Sequence, residues 1–306
     1  MNASLVDDRA FGSDRPPTCL TARLHHLALG TPQPAELAEF YRFALGYEPF
    51  EVGGVIGARA ADRNLLFVPG TAKTLSWAGF VLPNAEELER LRSRIDAAGW
   101  PRTDGPTAFF SDAVKVCDPD GNALVFGIVI DTDQERPPAL ADAHARAGWS
   151  DDQLRQARIQ HVVVASRNPD AIVRFFEDVL GFTLSDTVVD GEGGVRTSFL
   201  RCSNEHHSFA VFKAAEDRLD HHCYEAADWN AIRDWADHMA DRHIRLQWGP
   251  GRHGPGNNLF IFVHDPDGNW VEISAELEIV RHDRPAGTWP HAERTLNSWG
   301  QGLLRS

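Results

Sequence analysis

The chain has 306 residues, which predicts about two domains, each large enough to bury a hydrophobic core. A formal net charge of -14 disfavours nucleic acid or an anionic membrane as the main partner, and 42% apolar residues are ordinary for a soluble globular protein. The four cysteines show no CxxC pair, and the polar start MNASLVDDRAFGSDRPP lacks the apolar stretch of a signal peptide. The longest apolar run, Ala123 to Ile130, is far short of the ~20 residues of a membrane helix. We therefore predict a soluble cytoplasmic protein.

The chain contains an internal duplication. RLHHLALGTPQPAELAEFYRFALGYEPF, which begins at Arg23, aligns without gaps on RIQHVVVASRNPDAIVRFFEDVLGFTL, which begins at Arg158, and places His26 on His161. Further on, CDPDGNALVF from Cys117 matches HDPDGNWVEI from His264. Similarity at so long a period indicates a duplicated structural unit.

Each copy reads as two βαβββ modules. In the second copy a β-branched run predicts a strand, an Asn-Pro pair opens an amphipathic helix that a glycine closes, and short strands follow before the order repeats. The predicted strands are Arg158 to Ala165, Phe182 to Val189, Val195 to Cys202, Ser208 to Phe212, Leu219 to Glu225, Leu259 to Val263 and Trp270 to Ala275. The predicted helices run from Asn168 to Leu180 and from Asp228 to Met239. We therefore predict an α+β fold of two tandem domains, with two modules in each.

The domain boundaries follow from composition. We place a first domain at 20–130, a polar and Pro-containing linker at 131–156, a second domain at 157–280 and a C-terminal tail at 281–306.

The second copy concentrates residues that ligate metals. His161 and Glu272 each lie in an apolar strand, where a buried carboxylate without a partner is costly, and a histidine pair, His221 and His222, lies in a third strand. Strand alternation allows only one of this pair to face the same site, and the sequence alone leaves the choice nearly even. Two imidazoles and one carboxylate on one face of an ion, with open positions left, are typical of non-haem Fe(II) enzymes.

The N-terminal copy acts as an internal control. Its counterparts of His222 and Glu272 are Ala78 and Val125, and only His26 remains of the three. We therefore predict that the first domain has the fold without the site and that His26 is structural.

The segments HDPDGNWVEI, LDHHCYEA and GPGRHGPGNNLFIF, taken together, resemble the type I extradiol ring-cleaving dioxygenases of the vicinal oxygen chelate (glyoxalase-like) superfamily. The resemblance covers roughly Leu20 to Gly300. It implies a metal held by His161, His222 and Glu272, where the choice of His222 comes from the family alignment. It implies Fe(II), with Mn(II) as the alternative, O2 and an aromatic diol as substrates, and cleavage of the ring beside the diol.

The resemblance also implies two catalytic histidines. His207 matches the family's acid/base beside O2, with His206 as the open alternative, and His253 matches a histidine that hydrogen-bonds to a substrate oxygen. Phe262 stands where many members have a tyrosine, which removes a donor worth about 1–3 kcal/mol. The tail is expected to lie over the active site, and family members are commonly homo-oligomers.

The substrate pocket is expected to be apolar. Trp248 and Leu296 occupy positions where relatives that bind anionic catechols place Arg, and Phe199 and Phe262 are expected nearby. This favours alkyl- or aryl-substituted catechols, although Arg252 or Arg294 remain candidates to bind a carboxylate.

Two other classes stay open. One is another metal-dependent member of the superfamily, such as a glyoxalase-like isomerase or a dioxygenase of a non-catechol. Ligands confined to one half argue against the isomerase, whose site is typically shared by paired halves. The other is a non-catalytic binding module, which the four modules and the retained ligand set disfavour.

Overall fold

The computed structural model describes residues 19–60, 62–105, 107–130 and 157–303. The predicted linker at 131–156 and the N-terminal 18 residues lie outside the described residues. Among the helices in the described part of the chain, none combines the length and the apolar character that crossing a membrane requires.

The elements of the first half are β1 Arg23–Thr31, α1 Pro34–Leu45, β2 Glu48–Val52, β3 Val55–Ala60, β4 Arg63–Pro69, β5 Thr74–Val81, α2 Ala85–Ala97, β6 Thr103–Asp104, β7 Phe110–Cys117 and β8 Ala123–Val129. The strands form an eight-stranded sheet in the order β2-β3-β4-β1-β5-β8-β7-β6. The two modules of this half join through their first strands, β1 and β5, which pair antiparallel.

The second half repeats this plan with the strands β9 Arg158–Ser166, β10 Thr183–Val189, β11 Val195–Arg201, β12 Phe209–Lys213, β13 Arg218–Glu225, β14 Trp248–Arg252, β15 Leu259–His264, β16 Trp270–Ala275 and β17 Gly287–Pro290. They form a nine-stranded sheet in the order β14-β15-β16-β13-β9-β12-β11-β10-β17. Its helices are α3 Pro169–Arg174, which continues as a π-helical segment over Phe175–Leu180, α4 Trp229–Asp241 and α5 Glu293–Leu296. The predicted α+β fold with two βαβββ modules in each half is confirmed.

Local sequence explains where the helices begin and end. Pro34 and Pro169 each occupy the first turn of a helix, where the missing N–H costs nothing. Gly46 and Gly181 close these helices with φ of 69° and 83°, a left-handed conformation that glycine adopts without strain. The Asp228 side chain caps α4 by accepting the backbone N–H of Ala231.

The two halves share one hydrophobic core. A single cluster of buried side chains runs from Leu27 and Phe80 in the first half to Phe176 and Phe209 in the second. Backbone hydrogen bonds also cross, from Ala22 N to the Cys202 carbonyl at 2.9 Å among others. The first half is therefore packed directly against the half that carries the candidate ligands.

The DPDG turns fix the strands that follow them. Asp265 accepts the backbone N–H of Asn269 at 2.8 Å and the Asn269 side-chain amide at 2.8 Å, and this turn leads directly into β16. Asp118 makes the same two bonds to Asn122 in the first half, before β8. This repeated turn sets where Glu272 lies along its strand.

Candidate metal centre and active site

Two imidazoles and one carboxylate meet at the floor of a cavity in the second half. His161 Nε2 lies 3.1 Å from Glu272 Oε2, and His221 Nε2 lies 3.3 Å from the same oxygen. His161 and Glu272 are each only 1% exposed. Three adjacent strands, β9, β13 and β16, carry the three residues, and strand-borne ligands are held rigidly.

The structure corrects the choice between the two adjacent histidines. Cys223 pairs with His161 on one side and with Glu272 on the other, so the side chains at 221 and 223 share their face of the sheet. His222 points to the opposite face, where its Nε2 lies 2.9 Å from the Tyr41 hydroxyl of the first half. This geometry contradicts the prediction of His222 as a ligand, and His221 is the histidine of the pair that faces Glu272.

Two residues that the sequence reasoning missed hold this cluster in place. The Asp220 carboxylate accepts a hydrogen bond from His221 Nδ1–H at 2.6 Å, which leaves Nε2 free for an ion. The Asn258 amide donates to Glu272 Oε1 at 3.1 Å and fixes the carboxylate. Their signal in the sequence was weak: Asp220 directly precedes the histidine pair, and Asn258 directly precedes a strand.

Electrostatics favour a cation between these groups. Burial lowers the pKa of His161, so this imidazole is neutral, the form that binds a metal. Burial alone would raise the pKa of Glu272, but hydrogen bonds from His161, His221 and His253 outweigh it and hold the pKa well below its usual range. A buried ionised carboxylate facing imidazole nitrogens is a donor set that fits a divalent ion.

Cys223 lies beside the same cluster. The donor atoms of His161, Cys223 and Glu272 all lie within 4.8 Å of one another. Burial, reinforced by the Glu272 charge, raises the pKa of the Cys223 thiol well above its usual range, so the group stays protonated. A protonated thiol is a poor metal ligand, whereas a neutral imidazole binds a metal through its unprotonated nitrogen and loses no proton. We therefore favour His221 over Cys223 as the third ligand.

The first half shows what these positions become without a site. The register that pairs Val163 with His221 and His161 with Cys223 pairs Ala28 with Trp77 and His26 with Gly79. Val125 takes the place of Glu272, since it pairs with Gly79. Trp77 Nε1 donates to His26 Nε2 at 3.0 Å, and Phe109, Phe110 and Val125 pack nearby. The predicted structural role of His26 agrees with this geometry.

Both predicted catalytic histidines line the cavity. His207 lies beside His161, with ring centroids 4.3 Å apart and the rings tilted by 46°, while His206 lies behind it and is fully buried. His253 Nδ1–H donates to the Leu296 carbonyl at 2.6 Å, so its Nε2 faces inward, 3.7 Å from Glu272 Oε1. The structure therefore selects His207 over His206 as the histidine at the cavity.

The cavity walls are largely apolar, and its empty space is about 760 Å³ including the part open to solvent. All four predicted pocket residues line it: Phe199, Trp248, Phe262 and Leu296. Val163, Ala210, Phe212 and Leu303 complete the apolar wall, and Leu303 was missed because nothing in the sequence marks it. Neither Arg252 nor Arg294 is among the described residues that line the cavity.

The chain matches one family model in both of its halves. The family model "Glyoxalase/Bleomycin resistance protein/Dioxygenase superfamily" matches residues 23–126 and 158–273, which together cover well over half of the chain. The chain belongs to this superfamily.

Particular relatives are dioxygenases. The chain is 28% identical to metapyrocatechase 2 of Cupriavidus necator over 90% of its length and 88% of the relative. It is 25% identical to a manganese-dependent 2,3-dihydroxybiphenyl 1,2-dioxygenase of Geobacillus genomosp. 3, with 84% and 85% covered, and 25% identical to an iron-dependent extradiol dioxygenase of Rhodococcus jostii, with 77% and 80% covered.

Solved structures show the same fold. Homoprotocatechuate 2,3-dioxygenase of Arthrobacter globiformis superposes with a TM-score of 0.76 at 21% identity, covering 95% of this chain and 91% of that one. The Mn(II)-bound glyoxalase of Novosphingobium aromaticivorans gives a TM-score of 0.73 at 24% identity, covering 93% and 92%.

Proposed function

We propose that the protein is an extradiol dioxygenase, which uses Fe(II) and O2 to cleave the aromatic ring of a catechol-type substrate adjacent to its vicinal diol. The observation that carries the proposal is the convergence of His161 and His221 Nε2 on one oxygen of the buried Glu272, at the floor of an apolar cavity. The names of the sequence relatives support the same reaction.

His161, His221 and Glu272 would hold the metal. One carboxylate charge against a dication leaves the centre with a net charge near +1, which favours a deprotonated catecholate. When bound, the ion supplies the Lewis acidity and the redox chemistry with O2. The names of the relatives include both an iron-dependent and a manganese-dependent enzyme, so Mn(II) is the alternative metal.

The protein's own residues orient the substrate and handle its protons. His207, beside His161, accepts a proton from the substrate at the ring nitrogen that faces the cavity, and His253 presents Nε2 to a substrate oxygen. Burial holds the pKa of His207 well below its usual range, so the ring is neutral before the substrate binds.

An apolar ring substituent fits this cavity best. Phe199, Phe212, Trp248 and Leu296 surround the space above the metal ligands, and no arginine or lysine belongs to the described part of the wall. Phe262 supplies no hydroxyl, so a contact worth about 1–3 kcal/mol in a tyrosine-bearing site is missing. We therefore propose alkyl- or aryl-substituted catechols as substrates.

We also propose a cellular location and an assembly state. All four cysteines are free thiols, which supports a reducing, cytoplasmic location. A homo-oligomer is proposed from the resemblance to the family alone, and size-exclusion chromatography with light scattering would test it.

The test is anaerobic reconstitution with Fe(II), followed by O2 uptake with catechol, 3-methylcatechol, 2,3-dihydroxybiphenyl and 3,4-dihydroxyphenylacetate. We expect one O2 per diol, a yellow product and the weakest activity on the carboxylated diol. Glu272→Gln should abolish uptake, while Glu36→Gln, on the exposed face of α1, should not change it. A protein that binds one Fe(II) per chain but consumes no O2 with any of the four diols would contradict the proposal, and isomerase activity without O2 would favour the glyoxalase-like alternative.

A further inference from the structure

Behind His207 lies a second imidazole that does not reach the cavity. His206 Nδ1 is 3.0 Å from His207 Nδ1, and the two rings are nearly perpendicular, at 89°. The other nitrogen of His206, Nε2, lies 3.0 Å from Asp186 Oδ2. Both His206 and Asp186 are buried, at 0% and 1% exposure. A carboxylate, an imidazole and the cavity-lining imidazole thus form one chain.

The Asp186 carboxylate is fully satisfied. Its Oδ1 accepts from Arg284 Nη1 at 2.9 Å and from the Gly287 N–H at 3.0 Å. Its Oδ2 accepts from Trp289 Nε1 at 2.8 Å as well as from His206. Burial alone would raise the pKa of Asp186, but hydrogen bonds from His206 and Arg284 outweigh it and hold the pKa below its usual range. The group is ionised, so His206 Nε2 must carry a hydrogen.

The remaining hydrogens follow from charge balance. The Arg284 guanidinium, with Nη1 2.9 Å from Asp186 Oδ1, is the counter-ion of this carboxylate, so the contact with His206 needs only one hydrogen, on Nε2. A neutral imidazole with hydrogen on Nε2 has a bare Nδ1, which can only accept. His207 must therefore donate from its own Nδ1.

We propose that Asp186 and His206 are positioning residues that hold His207 as the Nδ1–H tautomer, with Nε2 unprotonated toward the cavity. This inference rests on the proposed function, because it makes His207 ready to accept the proton of a substrate hydroxyl. It also gives the C-terminal segment a role, since Arg284 and Trp289 donate hydrogen bonds to the Asp186 carboxylate and so hold it against His206.

The tautomer can be read without any activity. Metal-free protein labelled with ¹⁵N-histidine gives long-range ¹H–¹⁵N correlations that identify the protonated nitrogen of each ring. We expect His207 to carry its hydrogen on Nδ1. A hydrogen on His207 Nε2 in the unsubstituted protein would overturn the proposal, whatever the enzyme does with diols.

A matched pair of substitutions separates the two contacts of His206. His206→Asn places an amide oxygen near the former Nδ1, so it can still accept from His207, whereas His206→Gln reaches toward Asp186 and loses the contact with His207. We expect the Asn variant to keep the His207 tautomer and most of the activity. The Gln variant should show mixed tautomers and a fall in kcat/KM of about tenfold to hundredfold.

Folding and metal loading are controlled separately. Thermal midpoints and Fe(II) content should match between the two variants, and His282→Gln serves as a histidine substitution away from the chain of contacts. An unchanged His207 tautomer in the Gln variant, or equal loss of kcat/KM in the Asn and Gln variants, would show that His206 only fills space. Absence of activity in all proteins, with the expected tautomers, would count against the proposed function and leave the positioning role intact.

Discussion

At the residue scale, two neighbouring histidines on β13 have different fates. His221 faces Glu272 across 3.3 Å, and His222 faces Tyr41 across 2.9 Å on the other side of the sheet. Alternation predicts that only one of them reaches the metal site, but not which one. The register of β13 decides this, and it depends on irregular pairing at Leu219/His221 and at Cys223/Tyr224. No pattern in a single sequence reveals such irregularities.

These neighbours form a matched pair for experiment. We expect His221→Ala to lower Fe(II) affinity at least a hundredfold and to abolish O2 uptake, because it removes a ligand. His222→Ala should retain the metal and lose stability instead, by about 1–3 kcal/mol, because it leaves the buried Tyr41 hydroxyl with one partner fewer. Isothermal titration of the metal-free variants with Fe(II) or Co(II) under anaerobic conditions, together with urea unfolding, measures both effects. If His222→Ala loses the metal and His221→Ala keeps it, the geometric assignment is wrong.

At the element scale, most strands and helices could be predicted from hydrophobic period and turn residues. The exceptions have physical reasons. Trp248–Arg252, which contains two glycines and a proline and is not among the predicted strands, forms β14 because its backbone pairs with β15. Gly287–Pro290 forms β17 by pairing parallel to β10, a long-range contact that leaves no local pattern. The end of the predicted helix after Pro169 is π-helical, where Phe176 stacks on Phe209 with centroids 4.0 Å apart.

The short helix α5 offers a test of substrate preference, since it places Leu296 at the cavity. Leu296→Arg should raise kcat/KM for 3,4-dihydroxyphenylacetate relative to 3-methylcatechol by about tenfold, because a guanidinium in the wall can pair with the carboxylate. Ile279→Arg, at a side chain that is 66% exposed, adds the same charge away from the cavity and should leave the ratio unchanged. Steady-state kinetics on both diols gives this ratio of kcat/KM values. An equal change of the ratio in both variants would mean that net charge alone is responsible.

At the scale of the whole molecule, the internal duplication made the fold predictable. The hydrophobic core that the two halves share could not be predicted from the sequence. The alignment of the two copies predicted the module order and placed the candidate ligands in one half only. What it could not show is that Tyr41, from the first half, contacts the strand that carries His221. Contacts between halves depend on tertiary packing, and a single sequence carries no record of them.

Stability against pH follows from buried titratable groups in both halves. Burial lowers the pKa of His222 to about 3 and that of His26 well below its usual range, whereas burial raises the pKa of Asp118 and Asp265 to about 6. Below about pH 6.5 these histidines bind protons in the unfolded chain but not in the folded state. Their contribution to the free energy of unfolding is therefore full above about pH 6.5 and is lost as pH falls. Between about pH 6 and pH 4 the two aspartates act in the opposite sense, because the folded state holds protons that the unfolded chain releases.

The stability of the metal-free protein is therefore expected to fall from pH 7 to pH 6 and to change little between pH 6 and pH 4. Asp118→Asn should steepen the fall in that lower window, because it removes one of the two opposing groups. Thermal midpoints measured at half-unit intervals from pH 8 to pH 4 test this. A midpoint that rises steadily from pH 7 to pH 6 would contradict the sign of the histidine contribution.

The exchange of Trp77, Gly79 and Val125 in one half for His221, Cys223 and Glu272 in the other has a consequence for how the chain matures. In the first half, apolar side chains occupy the position that corresponds to the site, so this half is fully packed once the chain folds. The second half buries the Glu272 carboxylate among imidazole nitrogens, and under the proposed function its assembly is complete only when a divalent ion binds there. A cell short of that ion would then accumulate protein whose first half is fully packed and whose second half is less stable. Proteases that cleave locally unfolded segments would cut the second half first.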